Sequence, residues 1–183
     1  MTDLIRNSIG VLLGAAIALT GVARAQHQPY AGQHDRDIKA LSADEVKQYL
    51  AGAGMGYARS AELNHYPGPM HALELAEHLD LTTEQRAAAK ALMDSHKAEA
   101  RAIGAKLVES ERALDELFRS ARVDEATLAR AVRAAAQLQG DYRLSHLDTH
   151  RRLRALLTDE QVARYDALRG YGERSGSHLG GRH

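Results

Sequence analysis

The sequence is poor in several residue types on which other protein classes depend. It has no cysteine, no tryptophan and a single phenylalanine among its 183 residues. Without cysteine, neither a disulfide nor a cysteine nucleophile is possible. The sequence also has no excess of either charge, because 24 Lys and Arg residues balance 24 Asp and Glu residues. No charge excess therefore indicates a nucleic acid or an anionic membrane as a partner.

The sequence also lacks the short motifs of common enzyme classes. It contains no G-x-S-x-G, no H-E-x-x-H and no phosphate-binding loop. Gly52, Gly54 and Gly56 do not follow a predicted strand, as a nucleotide-binding loop would require. The paired acids Glu109 and Glu111 lie on the polar face of a predicted helix, where solvation accounts for them. We therefore predict a protein that acts by binding and is not an enzyme.

An apolar run at the N-terminus is typical of a secretory signal. Residues 9–22 are apolar, and an A-x-A cleavage site follows at residues 23–25. The run is shorter than the roughly 20 residues of a membrane span, which weighs against the alternative of an uncleaved anchor. No second apolar run occurs. We expect cleavage after Ala25, giving an exported protein without stable membrane insertion.

The rest of the chain divides by composition into three parts. Residues 26–69 form a polar lead-in with short helices, one of which begins at the capping box of Ser42 and Glu45 and ends near Ala51. Residues 70–170 form the main helical domain, and Pro69 suits the first turn of its first helix. Residues 171–183 are rich in Gly and Ser, and we expect them to be a disordered tail.

Two near-identical segments bound the middle of the chain, LTTEQ at 81–85 and LTDEQ at 157–161. In each, a threonine followed three residues later by glutamine makes a capping box, with the hydroxyl accepting from one backbone N–H and the glutamine side chain binding the other. Val162 completes a hydrophobic staple in the second copy, whereas Arg86 stands at that position in the first. Both segments predict helix starts, and their motif residues are Leu81, Thr82, Gln85, Leu157, Thr158 and Gln161.

Between these segments, the apolar residues recur at close to 3.5-residue spacing, which predicts two long helices. The first runs from Thr82 to about Ser120, and the second starts at the N-cap Asp124 and ends near Leu156. A connection this short makes the two helices antiparallel. The predicted fold is all-α, a long antiparallel helical hairpin with short flanking helices. Its exposed apolar stripe further predicts a homodimer.

Histidine is abundant, with ten residues, and two clusters have the spacing of metal ligands. His146 and His150 are separated by one helical turn, so both side chains lie on one face of the second long helix. In a helix from Met70 to Leu79, His71, Glu74 and His78 would also share a face. The antiparallel hairpin brings the two clusters to the same end. Together they predict a site for a divalent transition metal, Zn, Ni, Co or Cu.

Two observations leave other interpretations of these histidines open. Arg143, Arg151 and Arg152 surround the His146 pair and would repel a cation, so a half-buried pair without metal is the alternative. His96 lies on the apolar stripe, where a core or dimer-interface histidine is the simpler interpretation.

The paired motifs beside a long helical hairpin, behind a signal peptide, resemble the Spy, CpxP, ZraP and CnrX family of periplasmic proteins. The resemblance covers about Met70 to Leu168 and implies dimers of curved hairpins in the periplasm. In the metal-sensing branch, ligands come from a His-x-x-x-His pair and a His-x-x-x-Met pair before the two motifs. Here His146 and His150 resemble the second pair about one turn earlier, and His71 and His78 stand for the first pair at a wider spacing.

The resemblance implies a non-enzymatic envelope-stress protein that binds transition metal and holds unfolded periplasmic clients. Two alternatives have no metal of their own. One is a holdase chaperone, and the other is an adaptor that contacts a membrane sensor or an anti-sigma protein. The arginines of the hairpin offer contacts to acidic partners, although zero net charge gives little long-range steering.

Overall fold

A computed structural model of the chain describes residues 30–171, so the predicted signal peptide and the tail after Tyr171 lie outside the described residues. One compact unit begins at Gly32. The described part is helical, and its only extended pairing is an isolated bridge between Ile38 and Leu41. Its helices are α1 (Ala43–Ala51), α2 (Arg59–Glu62), α3 (Pro69–Glu74), α4 (Thr83–Arg119), α5 (Glu125–Arg154) and α6 (Asp159–Arg169). No helix among these combines the length and the apolar character needed to cross a membrane.

The predicted helix starts are confirmed. Thr82 and Thr158 are the N-caps of α4 and α6, and each motif closes its capping box with the glutamine three residues later. Ser42 and Asp124 cap α1 and α5 in the same way. Because α4 and α5 are joined by residues 120–124 alone, they run antiparallel and form the predicted hairpin.

Apolar side chains pack in two clusters along the hairpin. The cluster at the motif end joins α3, α4, α5 and α6, and it includes both motif leucines and both staple residues of the second copy. A second cluster, in the middle of the hairpin, packs α1 against α4 and α5. The motif-end core contains Ala72, Ala76, Leu79, Leu81, Ala89, Leu92, Leu153, Leu157, Val162 and Tyr165, and the middle core contains Ile38, Tyr49, Ala100, Leu107, Val108 and Tyr142.

Towards the hairpin loop, the apolar stripe emerges from the core. Phe118 is 59% exposed and Val132 is 47% exposed, although both follow the spacing of buried residues. The middle core ends near Val108 on α4, and α1 does not extend beyond it towards the loop. Two helices alone cannot enclose a stripe from both sides, so these side chains keep contact with solvent.

The two motif glutamines bind each other. Gln85 Nε2 donates to Gln161 Oε1, and Gln161 Nε2 donates to Gln85 Oε1, both over 2.9 Å. The second amide hydrogen of Gln85 reaches the Leu156 carbonyl at 2.8 Å, and that of Gln161 reaches the Leu79 carbonyl at 3.2 Å. Each Oε1 also accepts from its own N-cap backbone N–H. Each side chain therefore caps its own helix and joins it to the other.

Two glycines of the long helices have opposite surroundings. A Cβ on Gly104 would lie 2.1 Å from the Tyr49 carbonyl oxygen, because α1 crosses α4 in backbone contact at this point. Around Gly140 in α5, apart from its chain neighbours and the backbone of its own helix, no described atom lies within 4 Å of the equivalent Cβ position. A glycine inside a helix indicates either a bend or a close approach of another segment, and the structure shows no close approach at Gly140.

Alanine substitutions at these glycines should change stability in opposite directions. We expect Gly140→Ala to raise the free energy of unfolding by about 1 kcal/mol, because glycine is the poorer helix former. We expect Gly104→Ala to lower it by about 2 kcal/mol or more, because the methyl group overpacks against backbone. Urea unfolding followed by circular dichroism measures both. A stabilised Gly104→Ala variant would contradict the close crossing of α1 and α4.

The contribution of the amide pair to stability can be measured apart from that of the capping boxes, because Gln85→Glu replaces only the amide nitrogen by oxygen. Gln85→Glu keeps a side chain that closes a capping box, as Glu45 does in α1, but removes the amide donor. We expect a loss of about 1–2 kcal/mol in unfolding free energy. In a double-mutant cycle, Gln85→Ala and Gln161→Ala should show a coupling of about 1 kcal/mol. The matched control, Glu45→Ala with Gln161→Ala, should be additive, and additivity in both cycles would contradict the bridge.

Candidate functional site

A cavity of about 630 Å³ opens between the hairpin and the segment that precedes it. The loop after α1, helix α2 and the start of α3 form one wall. The opposite wall comes from α4 near Met93, from α5 between His146 and His150, and from the end of α6. Residues from all six described helices thus line one cavity, which the hairpin alone could not enclose.

The cavity lining combines soft metal-binding side chains with apolar and basic ones. Its donor set contains the imidazoles of His71, His96, His146 and His150 and the thioethers of Met55, Met70 and Met93. The charged lining residues are the cations Arg59, Lys97 and Arg169 and one acid, Glu62. Neutral imidazole and thioether groups are ligands that transition metals accept.

His146 and His96 lie in contact at the back of this cavity, with ring centroids 4.4 Å apart and planes at 82°. His146 Nδ1 donates to the Tyr142 carbonyl at 2.8 Å, and its Nε2 is buried without a hydrogen-bond partner among the described residues. His96 Nδ1 is 3.1 Å from the Ser145 hydroxyl, which donates in turn to Glu99 at 2.9 Å. Because the Ser145 hydroxyl proton is donated to Glu99, the hydroxyl oxygen accepts and His96 Nδ1 is the donor in this bond.

The other two cavity histidines, His71 and His150, also donate a hydrogen bond through Nδ1. His150 Nδ1 donates to the Tyr66 carbonyl at 2.8 Å, and His71 Nδ1 donates to Glu74 at 2.8 Å. In the neutral ring, Nε2 then carries the free lone pair. A hydrogen bond from Nδ1 to a carbonyl or carboxylate is also the usual support of a histidine that ligates metal through Nε2. All four side chains are therefore set in the tautomer that leaves the Nε2 lone pair for a metal.

Burial keeps the inner imidazoles neutral. Burial and, to a smaller extent, the neighbouring His146 and His150 lower the pKa of His96 from 6.5 to about 4. The pKa of His146 is also lowered, mainly by burial, although the hydrogen bond to the Tyr142 carbonyl acts in the opposite direction. A neutral ring at neutral pH leaves its lone pair available to a Lewis acid.

The single acid of the cavity is already engaged. Glu62 accepts a hydrogen bond from the Tyr165 hydroxyl and lies 3.4 Å from His150 Nδ1. Arg169 Nε lies 3.8 Å from Glu62 but forms no hydrogen bond within the part of the chain that the structure describes. The cavity therefore has more positive than negative side chains, and one guanidinium N–H is left without an acceptor.

The structure separates the predicted ligand residues into two groups. His71, His146 and His150 line the cavity, as expected from an antiparallel hairpin. Glu74 lies outside the lining and supports His71 from behind. The expectation that His78 shares a helical face with His71 and Glu74 is wrong, because α3 ends at Glu74 and the chain turns through residues 75–80. His78 is exposed outside the cavity.

His96 was not predicted as a ligand, although a signal for it was present. His96 and His146 lie at similar distances in sequence from Thr82 and Thr158, and both occupy the apolar stripe. An antiparallel register places two such residues side by side. Within residues 30–171, no group of three or more His, Asp or Glu side chains is drawn together tightly enough to hold an ion by itself.

The neutral inner histidines give stability a defined pH dependence. Because the folded pKa of His96 is about 4, against 6.5 in an exposed chain, the unfolded state binds more protons between these values. We expect unfolding free energy to fall as pH decreases from about 6.5 to about 4. In metal-free protein with chelator present, His96→Gln should flatten this decline. An unchanged decline in His96→Gln would contradict a buried neutral imidazole.

The chain was compared with protein families, curated proteins and solved structures. A family model described as LTXXQ motif family protein matches residues 69–169, which is more than half of the chain. No curated protein and no solved structure matches. The matched segment contains both motifs, the hairpin and α6. The chain therefore belongs to the LTXXQ motif family, the family of Spy- and CpxP-like periplasmic proteins.

Proposed function

We propose that this protein is a non-enzymatic envelope-stress protein of the periplasm that takes up a divalent transition metal in the histidine-lined cavity. The observation that carries the proposal is the shared state of the four cavity histidines. Each uses Nδ1 as a donor, so each offers Nε2 as a ligand. Family membership supports the periplasmic setting and the absence of catalysis.

The inner pair, His96 and His146, is the centre of the proposed site. Burial costs the unpartnered Nε2 of His146 the hydrogen bond that water would otherwise supply. A metal ion at this nitrogen would replace that lost interaction. His150 lies one turn along α5 and His71 lies on the opposite wall, so these two residues are the candidates for further ligands.

Titration of the protein with Zn(II), Ni(II) and Cu(II) by calorimetry tests this proposal. We expect one ion per chain and a loss of affinity of at least about a hundredfold in the double variant His146→Ala and His150→Ala, because ligands matter at least as much as their supporting contacts. His78→Ala is the matched control, since His78 is an exposed histidine outside the cavity. If no metal binds, or if the double variant binds normally, the metal proposal fails.

The exposed apolar residues favour a second candidate, a metal-independent holdase. Leu144 is 64% exposed, and Phe118 and Val132 are exposed near the hairpin loop. Such side chains could contact an unfolded client, a second copy in a homodimer, or the periplasmic part of a membrane sensor. The same double variant separates these activities. Unchanged suppression of client aggregation would assign client holding to these surfaces, independently of the cavity.

A further inference from the structure

The charge of the cavity is opposite to that expected for a bare cation. Arg59, Lys97 and Arg169 line it, and Glu62 is the one acid among its lining residues. Glu62 is also engaged by Tyr165 and lies beside Arg169. A divalent ion entering alone would meet repulsion from three cations, whereas an anion would be attracted.

The volume is also larger than an ion requires. Zinc and its neighbours bind nitrogen donors at about 2.0–2.1 Å, so a bare ion needs little space beyond its ligands. The cavity measures about 630 Å³, which lies in the range of sites for small organic molecules, roughly 300–1,000 Å³. Much of the space would remain once an ion is bound to His96 and His146.

Two buried, unpartnered atoms of residues that line this cavity have complementary chemistry. His146 Nε2 is an electron-pair donor to a metal, and Arg169 Nε–H is a hydrogen-bond donor to an anion. Neither has a hydrogen-bond partner in residues 30–171. An arginine N–H is well suited to a carboxylate oxygen. One ligand that carries both a metal and carboxylates would satisfy both atoms.

We propose that the cavity takes its metal as an anionic chelate with a small polycarboxylate, so that His146 binds the metal while Arg59, Lys97 and Arg169 bind the carboxylates. This inference rests on the proposed metal-binding function and names the form in which the metal arrives. The polycarboxylate fills coordination positions that the imidazoles leave open, and its negative charge offsets the basic lining. No bond is made or broken other than metal coordination and hydrogen bonds.

Equilibrium dialysis with labelled nickel and separately labelled citrate tests this inference. A site for the chelate and a site for the bare ion predict opposite effects of citrate on the amount of nickel retained. At fixed total Ni(II), excess citrate should raise the nickel retained by the protein by about tenfold, the effect of one charge-assisted contact. About one citrate should be retained per nickel. A site for the bare ion predicts that citrate removes nickel, and that result would overturn the chelate while leaving the metal proposal intact.

Variants of exposed cations make the test specific. Arg59 and Lys97 are exposed, so Arg59→Gln with Lys97→Gln should leave the fold intact. This pair should lower nickel retention about tenfold with citrate present and should not lower it with Ni(II) alone. Arg143→Gln, an exposed arginine of α5 outside the cavity lining, is the control and should have no effect. Equal losses with and without citrate would contradict a role in binding the chelator.

The remaining outcomes also decide between the proposals. Retention of citrate without nickel, at the same level as with nickel, would define an anion site and overturn the chelate inference. No nickel retained in either condition would overturn both this inference and the proposed function. His146→Ala should abolish retention of nickel in both conditions, and retention that survives this change would place the metal elsewhere.

Discussion

The reciprocal amide pair between Gln85 and Gln161 is the contact on which the rest of the architecture depends. It joins the start of α4 to the start of α6, two points 76 residues apart in sequence. Each amide also reaches a backbone carbonyl of the opposite segment, so four hydrogen bonds fix how the two helix starts meet. The leucines of both motifs are buried beneath this pair in the motif-end core.

This geometry gives a physical reason for glutamine at the fourth position after the motif leucine. A capping box can close with glutamate, as it does at Ser42 and Glu45 in α1. Glutamate, however, accepts hydrogen bonds and cannot donate them, and two glutamates facing each other would repel. Glutamine both accepts from its own N-cap and donates to the other motif. The motif thus encodes a contact between two helix starts as well as the starts themselves.

The cavity depends on the segment before the hairpin, which contributes lining residues between Ala51 and His71. The contacts that hold that segment in place include the backbone crossing at Gly104, the Tyr142 hydroxyl on the Ala53 carbonyl at 2.6 Å, and His150 on the Tyr66 carbonyl. Tyr142 and His150 thus serve both as packing residues of α5 and as anchors of the opposite wall. Histidines at the same positions on an isolated hairpin would face solvent, with ordinary pKa values and no shared enclosure.

Local chemistry in the sequence determined the helix starts, the length of the long helices and the antiparallel hairpin. Capping boxes, apolar periodicity and a short connection are properties of neighbouring residues, so they can be recognised from the sequence without knowledge of the fold. The early end of α3 at Glu74 was not, because the turns of residues 75–80 place Ala76, Leu79 and Leu81 in a core built from distant segments. The pairing of His96 with His146, the exclusion of His78 and the basic lining of the cavity were likewise decided by the tertiary structure. Each depends on which segments meet across the hairpin, and contact between residues distant in sequence leaves little local pattern.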